Sequence, residues 1–515
     1  MKKNTLLLKN MSFVTIGTLI SRLLGYFRDM LVATVFGAGY FADAFYAAFR
    51  IPNLFRRLFG ESSLNAAFVP VLSEYLGIKP KYETEEFLSA VATVLFVILG
   101  IVTVLGIIFA YPITKIITWG FPQEKLVLTS RLLQIMFPFM WLICLSALGL
   151  SILNCLKIFF IPAASSASLS IAEIFFILFL VYRLPVQKQI EGLAISVLVG
   201  GMLQLSINYY LVRKNQYKIT VSIKKFFNFL TFPSVKKIMV LFVPVVIGFS
   251  IDQINALVDT LCASFLKEGS VSALYYSNRL MQLPLALFGT AIVTVALPQM
   301  AQEFVVGTKK DIVETIVHSV RNVIYFLLPA SVGLAVLGKP IIKTLFERGS
   351  FTNESTLMTY SCLLYYSLGI TFFSISKIFI STFYAMKKTY IPVKIAGVCV
   401  IINLVLNIIL MQYLEVGGLA LSTTITSLIS CWLLYKNLKL NIEIKIFDIE
   451  TKKFLLKIFL TNFVLFLTVL LVKTYFSNFI VITFAGIILG TTVYFITSKI
   501  LKIEETSLFL NWLNK

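Results

Sequence analysis

The sequence predicts an all-α polytopic membrane protein, and three observations carry that prediction. Of 515 residues, 58% are hydrophobic and 13% charged, with a mean hydropathy of +0.90, whereas soluble domains carry about 25% charged residues. Apolar runs near the roughly 20 residues needed for a spanning helix recur along the chain. Nothing alternates in polarity over the roughly 10-residue segments of a barrel strand. A chain this apolar cannot cover its own surface with polar groups, which argues against a water-soluble enzyme.

Taken in order, the long apolar runs give about 14 spans. The first six are Asn10–Phe36, Phe41–Val71, Leu88–Phe109, Leu126–Leu153, Ala163–Val181 and Leu193–Val212. The next six are Ile238–Phe265, Leu274–Leu297, Val313–Val336, Leu357–Ala385, Pro392–Leu410 and Gly418–Leu434. Two more follow at Phe454–Val472 and Phe479–Ile496. Arg22 interrupts the first run and no small-residue cleavage site follows it, so this helix reads as retained rather than as a signal peptide.

An even number of spans places both termini on one side. That side holds Lys2, Lys3, Lys9, Lys79, Lys81, Lys309, Lys310, Lys387 and Lys388. It also holds the acid-free loop with Arg213, Lys214, Lys218, Lys224, Lys225, Lys236 and Lys237, and the loop with Lys436, Lys439, Lys445, Lys452, Lys453 and Lys457. The opposite loops are sparse in basic residues, with Lys115, Lys125, Arg183 and Lys188 among them. The positive-inside rule therefore puts both termini in the cytoplasm. Much of the +21 net charge is accordingly topology, and neither the loops nor the abundant phenylalanines indicate a nucleic-acid partner.

The chain resembles itself at an offset of about 230 residues. Asp29-Met-Leu-Val-Ala matches Asp259-Thr-Leu-Cys-Ala, and Ala44-Phe-Tyr-Ala-Ala-Phe-Arg50 matches Ala273-Leu-Tyr-Tyr-Ser-Asn-Arg279. Pro70 matches Pro298, Ile161-Pro162 matches Ile391-Pro392, and Gly192-Leu-Ala-Ile-Ser matches Gly418-Leu-Ala-Leu-Ser. The duplication predicts two six-helix lobes related by a pseudo-twofold axis along the membrane normal, residues 1–218 and 219–440. Residues 441–515 add two helices outside the repeat. Transporters built this way bind cargo near the midplane and alternate access as the lobes rock.

Charge inside a span is costly, from about 2.5 kcal/mol per residue upward, so it marks an aqueous cavity or a partner. The first two spans hold Arg22, Arg28, Asp29, Asp43, Arg50, Arg56, Arg57 and Glu61. Arg22, Gly25 and Asp29 share a helical face, and Arg57 and Glu61 are spaced to pair. Ser272 and Arg279 occupy the matching place in the second lobe. Arg22, Arg28 and Arg279 lie deep in their spans and point to a wet, cationic cavity for an anionic cargo. Arginine's planar fork suits phosphate oxygens at any physiological pH. Arg56 and Arg57 fit such a cavity and fit equally a role as snorkelling anchors at a helix end.

Asp259, Asn403, Asn407 and Thr423 form a second polar set with two readings. Their oxygens could coordinate a small hard cation such as Na⁺, or they could hydrogen-bond between helices as polar membrane residues do. Glu173, in the first repeat near the Asn403 position, receives no role. His318 is the only histidine, and Cys144, Cys155, Cys262, Cys362, Cys399 and Cys431 include no CxxC pair. Histidine-based metal chemistry and a disulfide framework are thus not indicated. No phosphate-binding glycine loop suggests an ATP motor, and no other cofactor is expected.

The motifs resemble the bacterial lipid II flippase family (MurJ, or MviN) of the multidrug/oligosaccharidyl-lipid/polysaccharide exporter superfamily. They are Ser21-Arg-Leu-Leu-Gly-Tyr-Phe-Arg-Asp29, Phe36-Gly-Ala-Gly with Ala42-Asp-Ala-Phe, and Arg50-Ile-Pro-Asn-Leu-Phe-Arg-Arg-Leu-Phe-Gly-Glu61. Ala67-Phe-Val-Pro-Val-Leu-Ser-Glu-Tyr75, Tyr275-Tyr-Ser-Asn-Arg-Leu-Met-Gln-Leu-Pro284, Leu345-Phe-Glu-Arg-Gly-Ser-Phe-Thr352 and Phe383-Tyr-Ala-Met-Lys-Lys-Thr-Tyr-Ile-Pro392 complete the set.

The resemblance implies a non-enzymatic transporter that carries lipid II, the undecaprenyl-pyrophosphate-linked peptidoglycan precursor, from the cytoplasmic to the periplasmic leaflet. It implies substrate-binding roles for Arg22, Arg28, Asp29, Asp43, Arg56, Arg57, Glu61, Ser272 and Arg279. It implies a Na⁺ site at Asp259, Asn403, Asn407 and Thr423, where Asn407 replaces an Asp seen in such sites. The two C-terminal helices become walls of a groove for the prenyl tail, with membrane lipids and cell-wall synthesis machinery as further partners. Three other readings compete: a flippase for another polyprenyl-linked glycan, a cation-coupled drug exporter, and a non-transporting cell-wall scaffold.

Overall fold

The computed structural model of the protein describes residues 2–58, 64–442 and 449–507. Among these residues all regular structure is helical. Among the described residues nine helices are long and apolar enough to cross a membrane, which makes this a multi-pass membrane protein. The chain divides into two compact units, Met1–Phe265 and Leu266–Lys515.

The first unit is built around the 33-residue helix Gln123–Cys155. Helices Tyr40–Phe55, Leu64–Ile78, Lys81–Ile108 and Val186–Lys214 all pack on it. One end of this unit is a dense apolar core in which Phe87 stacks between Phe68 and Tyr75, with ring centroids 5.8 and 4.3 Å away. Helix Val186–Lys214 approaches helix Ser168–Phe179 so closely that a Cβ on Gly200 would fall 2.6 Å from the Leu169 Cα. Helix Pro233–Ser264, which the duplication assigns to the second repeat, packs here against Leu64–Ile78. The sequence repeat and the packing thus draw the dividing line at different places.

The second unit repeats the plan. Its central helix, Asn353–Ala385, is again 33 residues long, and helices Ser270–Pro284, Thr290–Val306, Lys309–Leu345 and Tyr390–Ile442 pack on it. Gly269 precedes Ser270–Pro284 with φ 91°, a left-handed conformation that glycine adopts without a Cβ clash. Helices Ile449–Tyr475 and Phe479–Ile500 pack on one another and on Lys309–Leu345.

Several expected spans are broken. Phe41–Val71 is two helices, Tyr40–Phe55 and Leu64–Ile78, with a π-type turn at residues 56–58. Pro52 lies inside the first of these and has no N–H to give the Ala48 carbonyl, which weakens the helix just where it ends. Ala163–Val181 is likewise split into Phe160–Ser165 and Ser168–Phe179. Pro392–Leu410 and Gly418–Leu434 are the two arms of the 53-residue segment Tyr390–Ile442, which breaks at Glu415 (φ 49°, ψ −132°).

Candidate functional site

Most of the predicted charges of the first unit meet protein partners, several of them on other helices. Helix Lys2–Phe36 carries Arg28, which donates through Nε and Nη2 to Asp29 Oδ1 at 2.9 and 2.6 Å. Its Nε also lies 3.5 Å from Glu173 Oε2 on helix Ser168–Phe179. Arg28, Asp29 and Glu173 are all buried. The sequence expects Arg28 to face a wet, cationic cavity, and in the structure it stands between two carboxylates. The physical reason is that a guanidinium out of bulk water requires counter-charge as well as space. Arg22, on the face predicted for Asp29, is exposed two turns earlier, and the neighbouring Ser21 Oγ accepts from Ser166 Oγ at 2.9 Å.

Asp43 lies in the first turn of helix Tyr40–Phe55. Its Oδ2 accepts from Lys125 Nζ at 2.9 Å, with both side chains 2% exposed. The Lys125 ammonium also stands 4.3 Å from the Phe121 ring centroid and 5.5 Å from that of Tyr40. Lys125, assigned by sequence to a sparse polar loop, is thus fully enclosed. Further along the same helix, Arg50 Nε donates to Thr260 Oγ1 at 3.0 Å and ties it to Pro233–Ser264.

Arg56 and Arg57 are half-buried in the π-type turn, and Arg56 Nε donates to Asn53 Oδ1 at 3.0 Å. Glu61, expected to pair with Arg57, lies outside the described residues.

In the second unit Ser272 is buried and bonds the Gly269 carbonyl at 3.1 Å. Arg279, two turns on, is half-buried. Asn403, Asn407 and Thr423 do come together, with Ser422 as a fourth member. Asn403 Nδ2 lies 3.4 Å from both Ser422 Oγ and Thr423 Oγ1, and Asn407 Nδ2 donates to Asn403 Oδ1 at 3.2 Å. Ser422 Oγ donates to Asn407 Oδ1. The cluster joins the two arms of the broken segment Tyr390–Ile442 across the Glu415 kink.

Asp259, buried like its repeat partner Asp29, belongs to the first unit. As they stand, both amide oxygens of the asparagine pair accept protein hydrogen bonds, and the three gathered residues include no carboxylate. This donor set does not call for a cation. Among the described residues no group of three or more His, Cys, Asp or Glu side chains could hold a metal.

Sequence reasoning left out Glu173 and Lys125 as partners. Their signal was present as a carboxylate inside an apolar helix and a lysine at the head of one, but nothing in the sequence alone tells which charge each will meet. It also left out a clamp in the second unit. Arg321 pairs with Glu505 at 2.7 Å and Glu504 at 3.4 Å, lies over the Phe454 ring, and stands beside a Tyr325 to Thr506 hydrogen bond of 2.9 Å.

Two helical units, with ion pairs buried inside apolar helices, define a polytopic helical membrane protein. Comparison with known proteins fixes the family. The profile described as Lipid II flippase MurJ matches residues 32–490. The chain is 36% identical over 468 residues to a "Probable lipid II flippase MurJ" of Buchnera aphidicola subsp. Acyrthosiphon pisum, covering 90% of this chain and 89% of that one. It is 37% identical over 445 residues to the Vibrio cholerae protein of the same description, covering 84% and 83%. The chain belongs to the lipid II flippase MurJ family.

A solved structure, "Lipid II flippase MurJ, inward closed conformation", superposes with a TM-score of 0.79 at 31% identity, covering 98% of this chain and 99% of that chain. An inward-facing multidrug transporter of the MATE family shares the fold at 13% identity, with a TM-score of 0.67 over 84% of this chain and 98% of that one.

Proposed function

We propose that this chain moves lipid II from the cytoplasmic to the periplasmic leaflet of a bacterial inner membrane by alternating access, with both termini in the cytoplasm. The observation that carries the reading is membership of the MurJ family along nearly the whole chain. The buried charges support it, because maintaining guanidinium and carboxylate groups inside apolar helices is costly unless they serve a function.

Arg22, Arg28 and Arg279 are the proposed ligands of the diphosphate, whose oxygens match arginine's fork. Arg28 sits between Asp29 and Glu173, so the cargo would take the place of a carboxylate, and these acids hold the guanidinium ready in the empty protein. Asp43, Arg56, Arg57, Glu61 and Ser272 are proposed contacts of the polar head. Helices Ile449–Tyr475 and Phe479–Ile500 carry outward apolar side chains such as Phe459, Leu471, Phe484 and Ile488, which suits a wall for the prenyl tail. Asn403, Asn407 and Thr423 read best as a staple across the kinked segment. Na⁺ coupling through them and Asp259 would show as a loss of transport when choline replaces Na⁺.

The deciding experiment is depletion of this protein in its host, complementation with wild type or with Arg28→Ala and Arg279→Ala, and leaflet-resolved measurement of lipid II. Wild type is expected to restore outer-leaflet precursor, and the variants to fail at equal membrane levels. If the precursor reaches the outer leaflet at the normal rate after depletion, with no redundant flippase present, the proposal is wrong.

A further inference from the structure

Helix Val186–Lys214 ends in Arg213 and Lys214, and helix Pro233–Ser264 begins soon after. The chain between them does not leave as a free loop. Residues 217–222 run without helix, with Ser222 fully extended (φ −129°, ψ 95°). They lie along helix Lys81–Ile108. The amides of Lys218, Thr220 and Ser222 donate in turn to Glu85 Oε1, Ser89 Oγ and Thr93 Oγ1, at 3.0, 3.1 and 3.1 Å.

The two registers agree, since two residues of extended chain advance about 6.6 Å and four residues of helix about 6 Å. Tyr217, just before the first bond, and Ile219, between the first two, pack on the core that holds Phe87 and Leu88.

The direction of travel matters. From Glu85 to Thr93 the helix advances about 12 Å, and after Glu86 it carries no charged residue through Ile108. The extended chain thus runs beside the start of this charge-free stretch, where a backbone N–H shielded from water needs a protein acceptor. The Glu85, Ser89 and Thr93 stripe supplies those acceptors, which explains polar residues on one face of an otherwise apolar helix.

At the end of this run the chain turns through Ile223–Lys225 and the short helix Phe226–Leu230. There Ile223 is 65% and Phe227 77% exposed, and Ile223 borders an open apolar groove with Phe96, Val97, Gly100 and Ile101. Lys218, Lys224, Lys225, Lys236 and Lys237 are exposed around them. No acidic residue lies between 213 and 237. Of the nearby acids, Glu85 is bonded to the Lys218 amide and Glu74 pairs with Lys237 at 3.1 Å.

We propose that residues 217–232 form a membrane-dipping anchor for anionic phospholipid. Ile223 and Phe227 insert among the acyl chains of one leaflet, while Lys218 and Lys236, and Lys224 and Lys225 by extending their long side chains, reach anionic headgroups. Apolar side chains this exposed are unfavourable in water and at home in lipid, and a lysine cluster without acids complements an anionic leaflet. The inference does not depend on the identity of the cargo.

The test uses the full-length protein in vesicles of phosphatidylcholine with about one quarter phosphatidylglycerol, free of lipid II. The protein is extracted with its surrounding lipid in polymer-bounded discs, and the retained phosphatidylglycerol is counted. Wild type is expected to enrich phosphatidylglycerol. Lys224→Gln with Lys225→Gln should lower that enrichment several-fold, while Arg183→Gln with Lys188→Gln, exposed where helix Val186–Lys214 begins, should not.

In a second arm, the emission added by Phe227→Trp should be quenched by brominated acyl chains and not by aqueous iodide. Equal enrichment in both double variants, or quenching of residue 227 from water, overturns the proposal. Either result would turn attention to a soluble acidic partner for the lysines. Lipid II transport can persist or fail in these variants without bearing on the outcome.

Discussion

Replacing Lys125 with methionine should be among the most damaging single changes outside the apolar core. The ammonium and the Asp43 carboxylate are 2.9 Å apart and each 2% exposed, with the Phe121 ring 4.3 Å from the ammonium. Taking away the lysine leaves Asp43 enclosed without its counter-charge. Removing one member of a buried pair costs about 3–5 kcal/mol, and the lost cation–π contact adds about 0.5–2 kcal/mol. Asp43→Asn alone strands the ammonium at a similar cost. The double variant Asp43→Asn/Lys125→Met removes the charge altogether, so its cost should fall to about 1–3 kcal/mol, that of a buried amide lacking one bond.

The assay is a double-mutant cycle on equilibrium unfolding of the purified protein in mixed micelles, with complementation measured in parallel. A coupling energy of at least about 2 kcal/mol is expected. If the two single costs add to the double within about 0.5 kcal/mol, the pair is not an energetic unit and the reasoning fails. Complementation then divides the roles of Asp43. A stable but inactive double variant keeps Asp43 among the substrate contacts, whereas a stable and active one confines it to holding helix Tyr40–Phe55 against Gln123–Cys155.

Four further outcomes follow from the geometry. Glu173→Gln should reduce complementation at unchanged membrane levels, because Arg28 keeps Asp29 but loses its second counter-charge; Arg28→Lys should also fail, since an ammonium cannot reproduce the two-nitrogen contact with Asp29. Gly200→Ala should destabilise by about 1–3 kcal/mol in the same unfolding assay. Its Cβ meets backbone at Leu169, which cannot swing aside as a flexible side chain can. Arg321→Met should loosen residues 501–507, seen as faster amide hydrogen exchange there, because it leaves the buried Glu505 carboxylate without its partner.

Much of the fold is legible in local pattern. Apolar runs, basic loops and a repeat all follow from neighbouring residues and need no knowledge of which helices touch. The duplication reappears as two 33-residue central helices starting at Gln123 and Asn353. The breaks at Pro52, near Ser165 and at Glu415 are harder to read, because prolines sit inside unbroken helices as well, as Pro138 does. The anchor at 217–232 shows the same limit. Its lysines are plain in the sequence, but its placement is set by three backbone amides finding Glu85, Ser89 and Thr93 more than a hundred residues earlier.

By itself, the sequence determined that this protein enters a membrane as helices, carries an internal repeat, and places arginines within apolar stretches. Those properties depend on composition and on spacing within one helix, where the energy of burial is paid residue by residue. Only the tertiary structure decided what the charges face. Arg28 meets Glu173 across 145 positions of chain and Asp43 meets Lys125 across 82. An ion pair depends on separation in space, and for residues on different helices the packing sets that separation.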